Sequence, residues 1–393
     1  MTLPALNLDH LRKLTDDTGI LQFATFGVGD PHSGYAIDDN ARALVAVARL
    51  PRSRRREQLA SVYLRVLGRA QRPDGTLAHQ VEQDGSRSPS GASDDGFGRC
   101  VWACAEVMVS DLPEPMKRAA DSILRRAWPH LAHIRHVRGW ANAVQGLALY
   151  ADDAGDDRAR NAAVGCADQL LAHLAIHSDH AWTWFEDILT YEPGRMPLGL
   201  LYAAGLTGET RYLEAAVRVL AFLERTLYES TPRARLFIPI GNGGWHPRGG
   251  ERARYDQQPV DAGSLVEAYV AAEAITGDGK YRSLARDTFA WFLGANTAGA
   301  PVYDRATGAC RDGLHPLGVS RNAGAESTIC YLLAYLALSS KAAPISRLRG
   351  ARGPVPGVRG SRRAESGPAA RGPIASPVPP TASQRPALPS PRQ

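Results

Sequence analysis

Three pairs of adjacent acids stand out in this 393-residue chain: Asp38-Asp39 in "GYAIDDNARAL", Asp94-Asp95 in "GASDDGFGR" and Glu186-Asp187 in "WTWFEDILTYEPGR". Acetal cleavage by acid/base catalysis needs two carboxyl groups in unlike surroundings, one protonated and one ionised. Glu186 stands among Trp182, Trp184, Phe185 and Tyr191. Desolvation by such neighbours favours the protonated form, so Glu186 is the candidate general acid. Asp39 and Asp95 head apolar runs that read as helices. There the helix dipole and free N–H groups favour the ionised form, so these two are candidate general bases. N-capping explains one acid per helix start, but neither the doubling nor the neighbouring rings. An arginine-paired Glu186, with Arg195 as partner, is the plain structural alternative.

Further polar heads follow the same pattern: Trp140 and Asn142 in "RGWANAVQG", Asp256 through Asp261 in "YDQQPVDAG", and Glu326 in "SRNAGAEST". A glycine loop, "GNGGWH", offers Asn242, Trp245 and His246, and "RDGLHPLGVSRNAGAE" offers His315, Arg321 and Asn322. With Asp38, Asp94, Trp184, Asp187, Asp256, Gln257 and Gln258 they make the candidate binding set. Planar acids and amides hydrogen-bond hydroxyls, and flat rings stack on the C–H face of a sugar. Arg42 and Arg99, three or four residues after their aspartates, are placed to hold those carboxylates. No metal or cofactor is called for by this set.

Two kinds of helix must position these residues. "ARALVAVARL", "VWACAEVMVS", "ANAVQGLALYA", "RMPLGLLYAAG", "AGSLVEAYVAAEA" and "STICYLLAYLAL" are apolar on most sides and suit helices buried all round. Between them lie amphipathic stretches such as "ETRYLEAAVRVLAFLERTLYE", with "LNLDHLRKLTDD" at the N-terminus as the sixth. Twelve helices in six hairpins predict an all-α (α/α)6 barrel over residues 1–340, with the inner N-termini converging on one mouth. An open solenoid is the competing architecture. "DGTLAHQVEQDG" (74–85) predicts a small β-hairpin, and "RLFIPIGNGGWHPRGG" (235–250) a strand followed by a glycine loop.

The formal charge of +6 is uneven: residues 341–393 carry ten basic side chains against Glu365, a net +9, leaving about −3 for the rest. Eleven of the 27 prolines also fall there, so 341–393 reads as a disordered basic tail. A weak electrostatic tether to an acidic surface is its functional reading. The mildly acidic body argues against a nucleic-acid partner. No secretory signal and no run of 18 apolar residues is visible, so neither a membrane nor export is expected, and the location expected is cytoplasmic. Five scattered cysteines read as free buried thiols.

Taken together, "GYAIDDNARAL", "WFEDILTY", "GNGGW", "DQQP" and "RDGLHPLGVSRNAGAEST" resemble a bacterial family of six-hairpin (α/α)6-toroid proteins, often labelled glycosidase-like or associated with glycosyltransferases. The resemblance covers about residues 8 to 340. It implies the toroid, a carbohydrate substrate and a glycosyltransferase as partner. The chain departs from the family where Gly96 and Phe97 replace Ser and His or Gln, and where "TYEPGR" replaces Thr-Tyr-Asp-Asn-Ala-Arg. The leading expectation is a glycoside hydrolase acting on an oligosaccharide, with inversion the favoured course. The alternatives are a sugar 2-epimerase or isomerase, or a non-catalytic glycan-binding domain. A diphosphate-binding toroid would want a third aspartate in "DDNAR" or "DDGFG".

Overall fold

The computed structural model describes residues 2–230, 235–340 and 343–349. The six inner helices are α2 (Ile37–Ala48), α4 (Asp94–Val109), α6 (Val137–Ala154), α8 (Arg195–Thr207), α10 (Pro259–Thr276) and α12 (Ala325–Ser339). The outer ones are α1 (Asp9–Lys13), α3 (Arg54–Ala70), α5 (Glu114–Ala127), α7 (Asp157–His177), α9 (Thr210–Leu227) and α11 (Lys280–Ala290). Each inner helix packs on the next, and α12 returns to pack on α2, so the ring closes and the solenoid is excluded. The outer partner of α12 is short, a single helical turn and a half whose His10 Nε2 bonds the Ala323 carbonyl at 2.8 Å.

The inner ring is rich in Ala and Gly because its backbones nearly touch. A Cβ on Gly98 of α4 would lie 2.3 Å from the Gly139 carbonyl oxygen of α6. One on Gly263 of α10 would lie 2.9 Å from the Cys330 oxygen of α12. Larger residues there would push the ring open. The helices are delimited by ordinary local chemistry. Ser53, Ser93 and Asp156 cap α3, α4 and α7 through their side-chain oxygens. Gly155, Gly208 and Gly277 end α6, α8 and α10 in the left-handed conformation.

The connections divide sharply by end. Those from inner to outer helix occupy only 49–53, 110–113, 155–156, 208–209 and 277–279. Those from outer to inner occupy 14–36, 71–93, 128–136, 178–194, 228–258 and 291–324. All five two-stranded β elements lie in the long set, at the end where the inner helices begin. A barrel that concentrates its loops at one end concentrates its function there. Segment 74–85 turns at both Asp-Gly steps as expected: Gln71 bridges Leu77 across the first, Ala78 and Val81 bridge Gly91 and Arg87 across the second, and Gln80–Val81 pairs in addition with Tyr35–Ala36, just ahead of α2. Arg235–Phe237 pairs with Tyr228–Ser230, and the glycine loop follows as expected. At the C-terminal end, Pro344–Arg349 form a 3₁₀ turn with Ile345 and Leu348 buried, so the folded body runs past residue 340. The rest of the basic segment lies outside the described residues. Among the described residues no helix is long and apolar enough to cross a membrane.

Candidate functional site

The first two turns of successive inner helices supply four buried arginines: Arg42, Arg99, Arg138 and Arg195. Buried guanidinium groups must be paired, and the pairing links the acids of the mouth. Arg42 holds Asp39 at 2.7 Å and Glu326 at 2.7 Å, with Asp38 at 3.7 Å, joining α2 to α12. Arg99 holds Asp95 at 2.9 Å and also meets Glu192, while Asp38 lies 4.0 Å from the same nitrogen as Asp95. Arg195 binds Glu192 at 2.7 Å and Glu267 at 2.8 Å. Arg138 binds Glu186 at 3.2 Å and lies 4.2 Å over the Tyr191 ring. Deeper, Arg49 joins Glu106 and Glu267 at 3.0 and 2.9 Å, so charge continues down the barrel axis.

Asp38 is the hub of the accessible layer. Its side chain is 27% exposed, that of Asp95 13% and that of Glu326 40%, whereas Asp39 is closed off on Arg42. Two adjacent acids therefore meet opposite fates. Burial pushes the Asp38 carboxyl up, but Arg42 and Arg99 outweigh burial and hold it below the usual range. Burial, together with the charge of Asp38, pushes Asp39 well above it. Asp95 accepts from Asn142 Nδ2 at 2.9 Å and from the Tyr191 hydroxyl at 3.1 Å. Burial, then Asp95, raises that hydroxyl to about 12, so it stays a donor. Glu192, wholly buried, would be raised by burial, yet Arg99 and Arg195 bring it down to about 2. Its backbone N–H donates to Asp261 Oδ1 at 2.6 Å, and burial pushes that second carboxyl well up.

On the rim, Trp245 stands 6.1 Å from Tyr191. Its φ of +56° and that of Asp256, +61°, lie in the left-handed region that bulky residues avoid. Asp256 Oδ1 meets His315 Nδ1 at 2.6 Å, tying the loop before α10 to the loop before α12. Asn242 is exposed beside them, its N–H on the Asp256 carbonyl at 3.1 Å. Gln258 begins α10. Arg321 lies over Phe26, and Asn322 accepts from the Phe26 N–H at 3.2 Å. His79, brought in by the pairing of 80–81 with 35–36, bears electrostatically on Asp38.

Several candidates face elsewhere. The aromatic surroundings expected to desolvate Glu186 are not those it has. Trp184 and Phe185 turn into the core, and Glu186 keeps a 32% exposed side chain on Arg138, not Arg195. Asp94 accepts from the backbone of Arg135 and His136 at 2.6 and 3.0 Å, tying down the approach to α6. Trp140 points away from Asn142, against His173 of α7, where it lines a lateral cavity of about 750 Å³. Asp187 is a surface partner of His177 and Arg248. Gln257 is fully buried between Arg254, Thr297 and Trp291. His246 packs on Trp182, and burial lowers its pKa. Glu192, Arg138 and His79 were not singled out by sequence reasoning, and Tyr191 only as a neighbour of Glu186. "TYEPGR" stands out only as a departure from the family pattern, and its contacts with Arg99 of α4 and Asp261 of α10 show why Glu192 is there.

No family model matches the chain, and no curated protein matches it. Solved structures do. The chain is similar to cellobiose 2-epimerase from Bacillus thermoamylovorans, at 12% identity over 84% of this chain and 96% of that one, with a TM-score of 0.64. It is similar to a D-mannose isomerase at 14% identity over 83% and 93%, TM-score 0.63. It is also similar to an α-1,6-mannanase from Salegentibacter, an inactive variant with two consecutive aspartates changed to alanine, at 14% identity over 84% and 95%, TM-score 0.55. The fold is a six-hairpin toroid. At these identities the likeness establishes the architecture and no activity, and it extends to such toroids generally, not to a glycosyltransferase-associated family in particular.

Proposed function

We propose that the chain is a carbohydrate-active enzyme whose mouth moves a proton on a saccharide, catalysing 2-epimerisation or aldose–ketose isomerisation. The contact between His315 Nδ1 and Asp256 Oδ1 carries this reading. A carboxylate only accepts, so Nδ1 keeps the ring proton and Nε2 is left as the acceptor. An imidazole oriented in this way is a general base. In an open-chain aldose Nε2 takes the proton from C2 while the carbonyl O1 takes one from solvent, giving the enediol. Return of the ring proton to C1, with O2 giving its proton to solvent, isomerises the sugar; return to C2 after the enediol has turned its other face to the imidazolium, with O1 giving up its proton, epimerises it. Asp38, Glu326 and Asp95 are acceptors for the hydroxyls, with Tyr191 and Trp245 as the wall. The likeness to a cellobiose 2-epimerase and a mannose isomerase supports this over cleavage.

Glycoside hydrolysis is the second reading, and one observation favours it. Asp38 and Asp39 are adjacent carboxyl groups driven apart in protonation, and the mannanase variant carries its inactivating changes at two consecutive aspartates. Against it, Asp39 is closed off on Arg42, whereas a general acid must reach the leaving oxygen. Chromatography of glucose, mannose, cellobiose and α-1,6-mannotetraose after incubation separates the two. Isomerised sugar whose formation falls about 10²-fold or more in His315→Gln and Asp256→Asn supports proton transfer. Shortened oligosaccharide, lost in Asp38→Asn and retained in His315→Gln, supports hydrolysis.

A further inference from the structure

Of the six large apolar side chains exposed among the described residues, five stand on the loops at the mouth end: Phe23, Phe26, Val28, Tyr255 and Leu317. Four of them belong to two small hairpins side by side. Ala24–Thr25 pairs with Val28–Gly29 around the Phe26-Gly27 turn, and Leu314–His315 pairs with Gly318–Val319 around Pro316-Leu317. Phe26 and Gly27 have φ of +51° and +77°, the pattern of a type I′ turn. Asn-Gly is the favoured filling there, and a phenylalanine at positive φ is strained. Phe26 is nevertheless 64% exposed and Leu317 fully exposed, so neither earns its place by packing in the fold.

We propose that these two tips dock the mouth of the barrel onto an anionic lipid surface. Two narrow projections with apolar ends suit insertion into a headgroup layer better than the broad flat patch that a protein partner needs. Cations stand at their base. Arg321 lies 5.4 Å over the Phe26 ring, Arg311 bonds the Arg321 carbonyl at 2.7 Å, and Lys13 and Arg311 share a surface hollow with Phe26, lined also by Asp9 and Asp304. The chain carries a further net +9 within 341–393, and basic charge strengthens binding to anionic headgroups. Docking there would turn the acidic mouth toward saccharides borne by the lipid surface.

The test is flotation of the full chain with vesicles of phosphatidylcholine alone and of phosphatidylcholine with phosphatidylglycerol. The double substitution Phe26→Asn, Leu317→Ser is compared with wild type, and Ile176→Ser, an exposed apolar change on α7, serves as the control. Asn suits the turn, so the double variant keeps or raises its melting temperature. Its affinity for the mixed vesicles should fall at least about tenfold, while Ile176→Ser matches wild type. The proposal is overturned if wild type floats with neither vesicle, or if the double variant floats as well as wild type, which assigns binding to the basic segment. It is equally overturned if wild type self-associates through these tips in place of binding lipid, as a dimer lost in the double variant.

Discussion

Glu192→Gln isolates the buried charge that organises the mouth. The side chain is wholly buried between Arg99 and Arg195, and glutamine keeps its size and the backbone N–H that donates to Asp261. Holding this carboxyl at about 2, against an ordinary 4.5, corresponds to about 3 kcal/mol of native-state stability. Removing one partner of a buried ion pair costs a similar amount, about 3–5 kcal/mol. For a body of this size that is a fall of roughly 4 °C in melting temperature at pH 7. The folded-state pKa is depressed, so the contribution is complete above the unfolded value and lost as pH falls from about 4.5 toward 2. Urea titrations at pH 7 and pH 3 should therefore show the variant's deficit shrinking by more than half at the lower pH. A glutamine variant as stable as wild type at pH 7, or a deficit unchanged at pH 3, refutes the view that Glu192 is an ionised keystone.

Asp261 behaves oppositely. Burial raises its carboxyl, so ionisation is a growing cost above the ordinary carboxyl range, and Asp261→Asn should gain stability relative to wild type as pH rises from about 4, whereas Asp261→Ala loses about 1–3 kcal/mol with its hydrogen bond, both measured by denaturant titration. Gly98→Ala should destabilise by about 1–3 kcal/mol, because its Cβ meets the Gly139 carbonyl at 2.3 Å and α4 and α6 must separate; calorimetry reads this. Tyr191→Phe removes one of the donors to Asp95 while keeping the ring under Arg138, so saccharide affinity by calorimetric titration should fall about three- to tenfold with melting changed by less than about 1 kcal/mol.

The inner ring was legible because α2, α4, α6, α8, α10 and α12 are apolar on nearly every side, a pattern that only helices surrounded by helices tolerate. The gathering of acids at one mouth followed from their parallel starts. Less legible was which member of each pair faces inward. Neighbours on a helix point about 100° apart, so Asp95 reaches the axis while Asp94 caps the approach to α6. Two such steps, about 200°, send Asn142 inward and Trp140 outward. Trp184 and Phe185 lie in a loop whose apolar bulk is taken by the core, and nothing local in "WTWFED" distinguishes a buried ring from a sugar platform. His79 and Glu192 depend on long-range pairing. The first is carried in by strand contacts with residues 35–36; the second owes its place to Arg99, far off on α4, beside Arg195 only three residues on. Periodicity over a short window carries no such information.

The central claim, that the mouth moves a proton on a saccharide carbon, is tested most directly by incubating wild type with glucose, mannose and cellobiose in D₂O and following C2 by proton NMR. Proton transfer at C2 removes the C2 proton signal and produces the epimer or ketose with the glycosidic bond intact. Release of shorter saccharides with every C2 proton retained would contradict it.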